Sequence, residues 1–259
     1  MLSLIIFLYI ILLFLKNYPY VTNQKIPKQI FQTFKLKYED LPNSMKESIN
    51  SWRRKNNDYS YHYYDDNQLE KYVTSFNCND FKFTKEELRK AFYKIKPGAG
   101  KADLFRYMII YEKGGVYMDI DTSCKKPLSS FIGNNDDIVS GIGIRGDLHQ
   151  WGLIYTPKND IIKKTLELSV HNILNEKFVN GYENSLEGLT GPPCLNVAFK
   201  DYSNNAHLQP GIFKIEKYQF NILKGDYFGD NVTFKYEDYE NDLNKLGMTH
   251  WGKDKLFNL

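Results

Sequence analysis

Apolar positions recur along the chain in two rhythms, every second residue or every third and fourth, and from residue 29 onward the two take turns. Residues 29–34 (QIFQTF) follow Pro27, which halts any incoming helix, and predict a first strand. Over 43–56, Met45, Ile49 and Trp52 share one side, while Arg53, Arg54 and Lys55 gather at the end that a helix dipole makes negative, so a helix is expected. Residues 59–64 alternate as a second strand and run into Asp65-Asp66-Asn67, which cap a helix over 68–73. Thr84 opens the next helix, to Phe92, with Glu87 three residues on in capping-box register. Residues 96–101 (KPGAGK) predict a flexible loop that lacks the GxxxxGK[ST] spacing of a phosphate cradle. Further along, 138–144 and 151–155 read as strands. Residues 160–176 read as an amphipathic helix capped by Asp160, with Ile161, Ile162, Leu166, Val170, Ile173 and Leu174 inward, and 196–199 begin another. These repeated βα units predict an α/β sandwich around a mostly parallel sheet, with ligands at the carboxyl ends of its strands.

The chemistry lies in the middle of this pattern, where residues 102–128 read ADLFRYMIIYEKGGVYMDIDTSCKKPL. Leu104, Tyr107, Met108 and Tyr111 make one helical face apolar, and Asp103 and Arg106 share another, three residues apart. Gly114-Gly115 supply the left-handed backbone that turns the chain back. Val116-Tyr117-Met118 then lead as a strand into Asp119-Ile120-Asp121, and period-two alternation puts both carboxylates on one face. Neighbouring carboxylates repel each other. A hard divalent cation, Mg²⁺ or Mn²⁺, relieves the repulsion, and its open positions suit the oxygens of a nucleotide diphosphate.

That ordered stretch resembles the DXD-containing glycosyltransferases of family 32, whose fungal members extend mannan chains and whose relatives include clostridial toxin glucosyltransferases. Smaller matches lie on either side. Residues 26–35 (IPKQIFQTFK) resemble an opening IPKxIHQTW whose last aromatic lies against the nucleotide base; Phe34 holds that position, and Phe31 replaces the His. Residues 189–193 (LTGPP) match a TGP turn near the acceptor side, and 223–230 (LKGDYFGD) resemble an aromatic YFYP segment. Residues 248–255 (MTHWGKDK) match a closing His-Trp element at His250 and Trp251, with Asp254 and Lys255 where Ser and Trp would stand. The resemblance implies a GT-A-like nucleotide-sugar-binding sandwich. It implies a metal-dependent transferase that retains anomeric configuration while moving a sugar from a UDP- or GDP-sugar to a glycan, glycolipid or protein hydroxyl. It implies catalysis by Asp103, Arg106, Asp119 and Asp121, and donor binding by Gln32, Thr33, Phe34, Asp103, Arg106, Gly114, Gly115 and Asp119. Mn²⁺ or Mg²⁺ would be held by Asp119, Asp121 and His250.

Length and composition bound the rest. The 259 residues suffice for a leading segment, 1–20, and a single catalytic domain over 21–259. A net charge of +3 with no clustered basic stripe gives no sign of nucleic acid as a partner, and the 20 Tyr and 17 Phe supply rings of the kind that line sugar sites. Residues 1–15 (MLSLIIFLYIILLFL) are uninterruptedly apolar, without a basic n-region or a small-residue cleavage site. This favours an uncleaved single-pass anchor over a signal peptide, although such a helix covers roughly 22 Å of a hydrocarbon core about 30 Å thick. An anchor together with the resemblance implies the Golgi or ER lumen, while Lys16 just after the segment allows a cytosolic face. Cys78, Cys124 and Cys194 form no zinc signature and no disulfide framework. Asn231-Val232-Thr233 is a glycosylation sequon, meaningful in a lumen.

Two rival functions share parts of the pattern. Haloacid-dehalogenase-type phosphatases also carry DxD after an apolar strand, and residues 225–230 (GDYFGD) fit their GDxxxD motif, but Ser123 stands where their DxDxT has Thr. A non-catalytic sugar-nucleotide binder is the other, suggested by the altered closing element.

Overall fold

The computed structural model describes residues 24–143, 146–248 and 255–258. A seven-stranded sheet organises them. It is built from β1 (Gln29–Thr33), β2 (Ser60–Tyr64), β3 (Gly115–Met118), β5 (Ile138–Ser140), β6 (Gly152–Tyr155), β7 (Gly211–Ile215) and β8 (Tyr218–Ile222), in the order β2-β1-β3-β6-β5-β8-β7. Five of these seven, β2, β1, β3, β5 and β8, run one way, and β6 and β7 run the other, so the expected mostly parallel sheet is present. A two-stranded sheet pairs β4 (Thr122–Cys124) antiparallel with β9 (Val232–Phe234).

Helices cover both faces. On one side α4 (Gly98–Lys113), α5 (Asp160–Asn175) and α7 (Pro192–Tyr202) bring Leu104, Met108, Ile162, Leu166 and Leu195 against Phe31, Tyr117, Leu153, Tyr155 and Phe220 of the sheet. On the other, Trp52 of α1 (Asn43–Lys55) joins Ile30, Val116, Met118, Ile154, Phe228 and Val232. Each large side chain fully buried in these layers contributes about 1.5–3 kcal/mol. Trp52 also has a polar role: its Nε1 donates to the Thr122 carbonyl at 3.0 Å, beside Ser48 Oγ at 2.7 Å. α1 thereby fastens the start of β4, immediately after the acidic pair. The remaining helices are α2 (Asp66–Ser75), α3 (Lys85–Lys94), α6 (Leu186–Thr190) and α8 (Tyr239–Lys245).

Local signals worked where both partners were close in sequence. Asp65 with Gln68 and Thr84 with Glu87 form complete capping boxes at the starts of α2 and α3. At α5 the cap is Asn159, one residue before the expected Asp160, and its side chain accepts from the N–H groups of Ile161 and Ile162. Residues 98–101 of the expected loop are instead the first turn of α4. Gly100 suits the close packing there: a Cβ would lie 2.5 Å from Ile95 Cδ1 and 2.8 Å from Leu186 Cδ1 and would displace those methyls, which offsets the low helix propensity of glycine. α4 is also buried nearly all round rather than amphipathic, because α5, α6 and the sheet enclose it. The expected strand 138–144 ends at Ser140, and residues 144–145 lie outside the described residues.

The anchored, single-pass placement in a Golgi or ER membrane is corrected. No helix among the described residues is long and apolar enough to cross a membrane. The segment on which that expectation rested, 1–20, lies outside the described residues, and its 15-residue apolar run is itself too short for a plain span.

Candidate active site

β3 stops at Met118, and the acidic pair sits in the turn that follows rather than on the strand. Strand alternation is therefore not what places Asp119 and Asp121 together. The turn is held through its backbone: Asp119 N donates to Trp151 O at 2.8 Å, and Tyr236 N donates to Asp121 O at 3.0 Å. The Asp119 carbonyl accepts from Thr122 Oγ1 at 2.6 Å and from Gln32 Nε2 at 3.0 Å. With the main chain fixed at this many points, the two carboxylates cannot swing away from each other by bending the loop.

The side chains carry the electrostatic cost. Asp121 is buried, and its Oδ1 has no hydrogen-bond partner. Burial first, and the neighbouring Asp119 second, push its carboxyl up to about 7. Burial also raises Asp119, against the opposing pull of Arg106 and the Tyr117 hydroxyl. Asp119 Oδ1 accepts from Arg106 Nη2 at 2.7 Å and from Tyr117 OH at 3.0 Å. Its side chain still keeps 26% exposure, so a ligand can reach it.

Arg106 is the hub of a second cluster just beneath. Its Nη2 lies 3.2 Å from Asp103 Oδ1, as the three-residue spacing on a helix predicts. Its Nη1 donates to the Gln150 carbonyl at 3.0 Å and to Gln150 Oε1 at 2.7 Å. Gln150 Nε2 donates in turn to Asp103 Oδ1 at 2.7 Å and to Tyr107 OH at 2.9 Å, and Thr190 Oγ1 donates to Asp103 Oδ2 at 2.6 Å. Burial raises the Asp103 carboxyl to about 6, with Arg106, Thr190 and Gln150 holding it from rising further. Arg106 stays firmly protonated: burial disfavours its charge, but Asp119, Tyr117 and Asp103 together overcome that. Its Nε is buried without a partner.

The structure thus gathers Asp103, Arg106, Asp119 and Asp121 into one neighbourhood at the carboxyl end of β3. Gln32 joins it through the Asp119 carbonyl, with its Oε1 taken by Tyr61 OH at 2.8 Å. Thr33 is turned to Tyr64, donating to that carbonyl at 2.8 Å, and Phe34 is half-buried against the group containing Leu41, Met45, Ile49 and Ile120. Gly114 and Gly115 do not reach the site. They lie at the opposite end of β3, at φ 63° and 96°, where a Cβ would meet Pro157 N at 2.6 Å or Gln29 O at 2.8 Å, so they serve the turn rather than a donor. His250, with Trp251 and Asp254, lies outside the described residues. Sequence reading missed Gln150 and Tyr117 as partners of the cluster, and it named Thr190 within the TGP turn without its bond to Asp103. Tyr117 was legible: a strand residue two positions before Asp119 shares its side.

The donor set fits a divalent cation in one respect: an orphaned, buried carboxylate oxygen beside a second carboxylate is what such an ion satisfies. Among the described residues no third His, Cys, Asp or Glu joins the pair, so remaining ligands would come from water or substrate oxygens.

Comparison with known proteins bears on this geometry. Residues 42–138, which contain the acidic turn, Asp103 and Arg106, match the family described as glycosyltransferase sugar-binding region containing DXD motif. The chain is 25% identical to the initiation-specific alpha-1,6-mannosyltransferase of Candida albicans, over 89% of this chain and 69% of that one. It is 29% identical to the mannosyl phosphorylinositol ceramide synthase of Saccharomyces cerevisiae and 27% identical to inositol phosphoceramide mannosyltransferase 1 of Schizosaccharomyces pombe. Those alignments cover 78% and 71% of this chain but 51% and 54% of the relatives, about half of their length. Among solved structures, the PaToxG glycosyltransferase is similar at a TM-score of 0.47 and 21% identity, over 68% of this chain and 69% of that one.

Proposed function

With a DXD-motif glycosyltransferase sugar-binding region across residues 42–138 as the premise, we propose that this protein transfers a hexose, mannose first among the choices, from a UDP- or GDP-sugar to a glycan, glycolipid or protein hydroxyl. The reading is supported most by one feature: Asp121 Oδ1, buried and without a partner beside Asp119, at the carboxyl end of a sheet strand. Asp119 and Asp121 would hold Mn²⁺ or Mg²⁺, which when bound supplies a Lewis acid for the diphosphate leaving group.

The chain's own groups act around that point. Arg106, permanently charged and shared by buried Asp103 and half-buried Asp119, keeps the two carboxylates compatible with each other and adds positive potential where the leaving diphosphate gathers charge. Asp103, fixed by Gln150 and Thr190, holds the underside of the site rigid beneath the donor. Gln32 fixes the acidic turn from the β1 side, and Phe34 offers a ring for the base one residue beyond that strand.

The test is release of nucleotide from a panel of UDP- and GDP-hexoses by the purified protein with Mn²⁺ present. Release is expected from one donor class, and Asp121→Asn is expected to abolish it. Unchanged turnover in Asp121→Asn, or hydrolysis of a generic phosphate ester in place of any nucleotide sugar, refutes the assignment.

A further inference from the structure

We propose that Trp151, Tyr227 and Phe234 form a stacking platform that seats a pyranose ring of the acceptor beside the acidic turn. The proposal rests on the transferase reading above and names the acceptor class for the same site.

The three rings form one group. Trp151 and Phe234 have centroids 4.8 Å apart at 35°, Tyr227 stacks on Phe234 at 5.7 Å and 27°, and Trp151 lies 6.3 Å from Tyr227. Tyr227 is 43% exposed, whereas Phe234 is half-buried beneath it and Trp151 is half-buried with His149 stacked on it at 4.9 Å, so the ring open to solvent is Tyr227, backed by the other two. The group adjoins the acidic turn on two sides. The Trp151 carbonyl takes the Asp119 N–H, and Phe234 pairs in register with Thr122, the residue after Asp121. Trp151 packs with the Met118 side of the sheet, whereas Asp103 and Arg106 come from α4 on the opposite side. The platform and the polar cluster therefore flank the carboxylates from different directions, as donor and acceptor must.

The backbone that presents Tyr227 is costly. Tyr227, Phe228, Gly229 and Asp230 are consecutively left-handed, with φ of 45°, 58°, 64° and 60°, and each of the three non-glycine residues gives up roughly 1–2 kcal/mol relative to a right-handed turn. Burial of Phe228 offsets this. Its ring is fully buried against His149 and Trp151, at centroid distances of 5.2 Å and 5.1 Å, and it fills the space where a Cβ on Gly152 would come within 2.7 Å. Asn231 Nδ2 donates to the Phe228 carbonyl at 2.6 Å and closes the turn. An anchored, strained turn that stands one tyrosine out over a second ring is a presenting device. A pyranose suits it: the ring's C–H face is apolar, its rim carries hydroxyls, and stacking it here leaves a hydroxyl free to approach the acidic turn.

The experiment uses the full chain with the donor that it turns over, and compares transfer to methyl α-D-mannopyranoside with donor hydrolysis in the same reaction. Tyr227→Ala is expected to lower the transfer-to-hydrolysis ratio roughly tenfold or more at subsaturating glycoside, and Tyr227→Phe is expected to keep it. An unchanged ratio in Tyr227→Ala overturns the platform. If the wild type turns over no donor, the transferase reading fails and the platform is judged on binding alone. Quenching of intrinsic fluorescence by the glycoside, lost in Tyr227→Ala, then supports it. No quenching in the wild type, or quenching by uridine or guanosine monophosphate but not by the glycoside, overturns it.

Discussion

Asp103 and Asp121 are buried to similar degrees, at 6% and 9% exposure, yet their surroundings differ. Asp103 meets an arginine, a glutamine amide and a threonine hydroxyl, which between them occupy both of its oxygens. Asp121 has an oxygen that nothing answers. A buried polar group without a partner costs about 1–3 kcal/mol, more if charged, and native folds keep few of them. The Asp103 carboxylate is saturated before any ligand arrives, although Arg106 Nε beside it has no partner. The Asp121 carboxylate leaves an acceptor unanswered, within the stretch that matches the DXD-containing sugar-binding region.

The strongest way to break this contrast is to remove the hub of the Asp103 cluster. Arg106→Ala leaves buried Asp103 and half-buried Asp119 without the cation they share, and a loss of about 3–5 kcal/mol is expected in urea unfolding, together with loss of turnover. A cost below about 1 kcal/mol would show that the cluster is not what holds the site.

The second test has the opposite sign. Burial and Asp119 raise the folded Asp121 carboxyl from 3.8 to about 7, so its contribution to stability is fully present below the unfolded value and is lost as pH rises through the folded one. Metal-free protein should therefore lose stability between about pH 4 and pH 8 through this group. Asp121→Asn, which cannot ionise, should be more stable than wild type at pH 8 by about 2–4 kcal/mol in chelator, with little difference near pH 4. The same variant is expected to lose metal-dependent turnover. Parallel melting curves for the two proteins across that range would remove the distinction between the clusters.

What could be read from sequence divides along the same line. The helices with complete capping boxes were legible because Asp65 and Gln68, or Thr84 and Glu87, lie within one turn of each other. Asp103 and Arg106 were legible as a pair for the same reason, and the acidic motif was legible as a motif. The partners that decide their state were not. Gln150 lies 47 residues from Asp103, and Thr190 lies 87 residues away, brought in by α6. The assumption that β3 continued through Asp121 also failed, because the chain turns after Asp119, with Thr122 bonding back to the Asp119 carbonyl and Tyr236, from a distant segment, donating to the Asp121 carbonyl. The glycines at 98 and 100 suggested a loop by propensity, and packing against Ile95 and Leu186 overrode it.

The mildest change sharpens the Asp103 side alone. Thr190→Val keeps the shape of the side chain but removes the hydroxyl that donates to Asp103 at 2.6 Å. Burial already lifts this carboxyl to about 6, and losing one donor should lift it further, so the ionised form becomes harder to keep. At pH 8, where Asp103 is ionised in the wild type, a cost of about 1.5–3 kcal/mol is expected. Near pH 5 the carboxyl is already mostly protonated, and the cost should shrink. An equal cost at both pH values would mean that the hydroxyl's main service is its longer bond to the Leu186 carbonyl, at 3.4 Å, and that Asp103 does not depend on it.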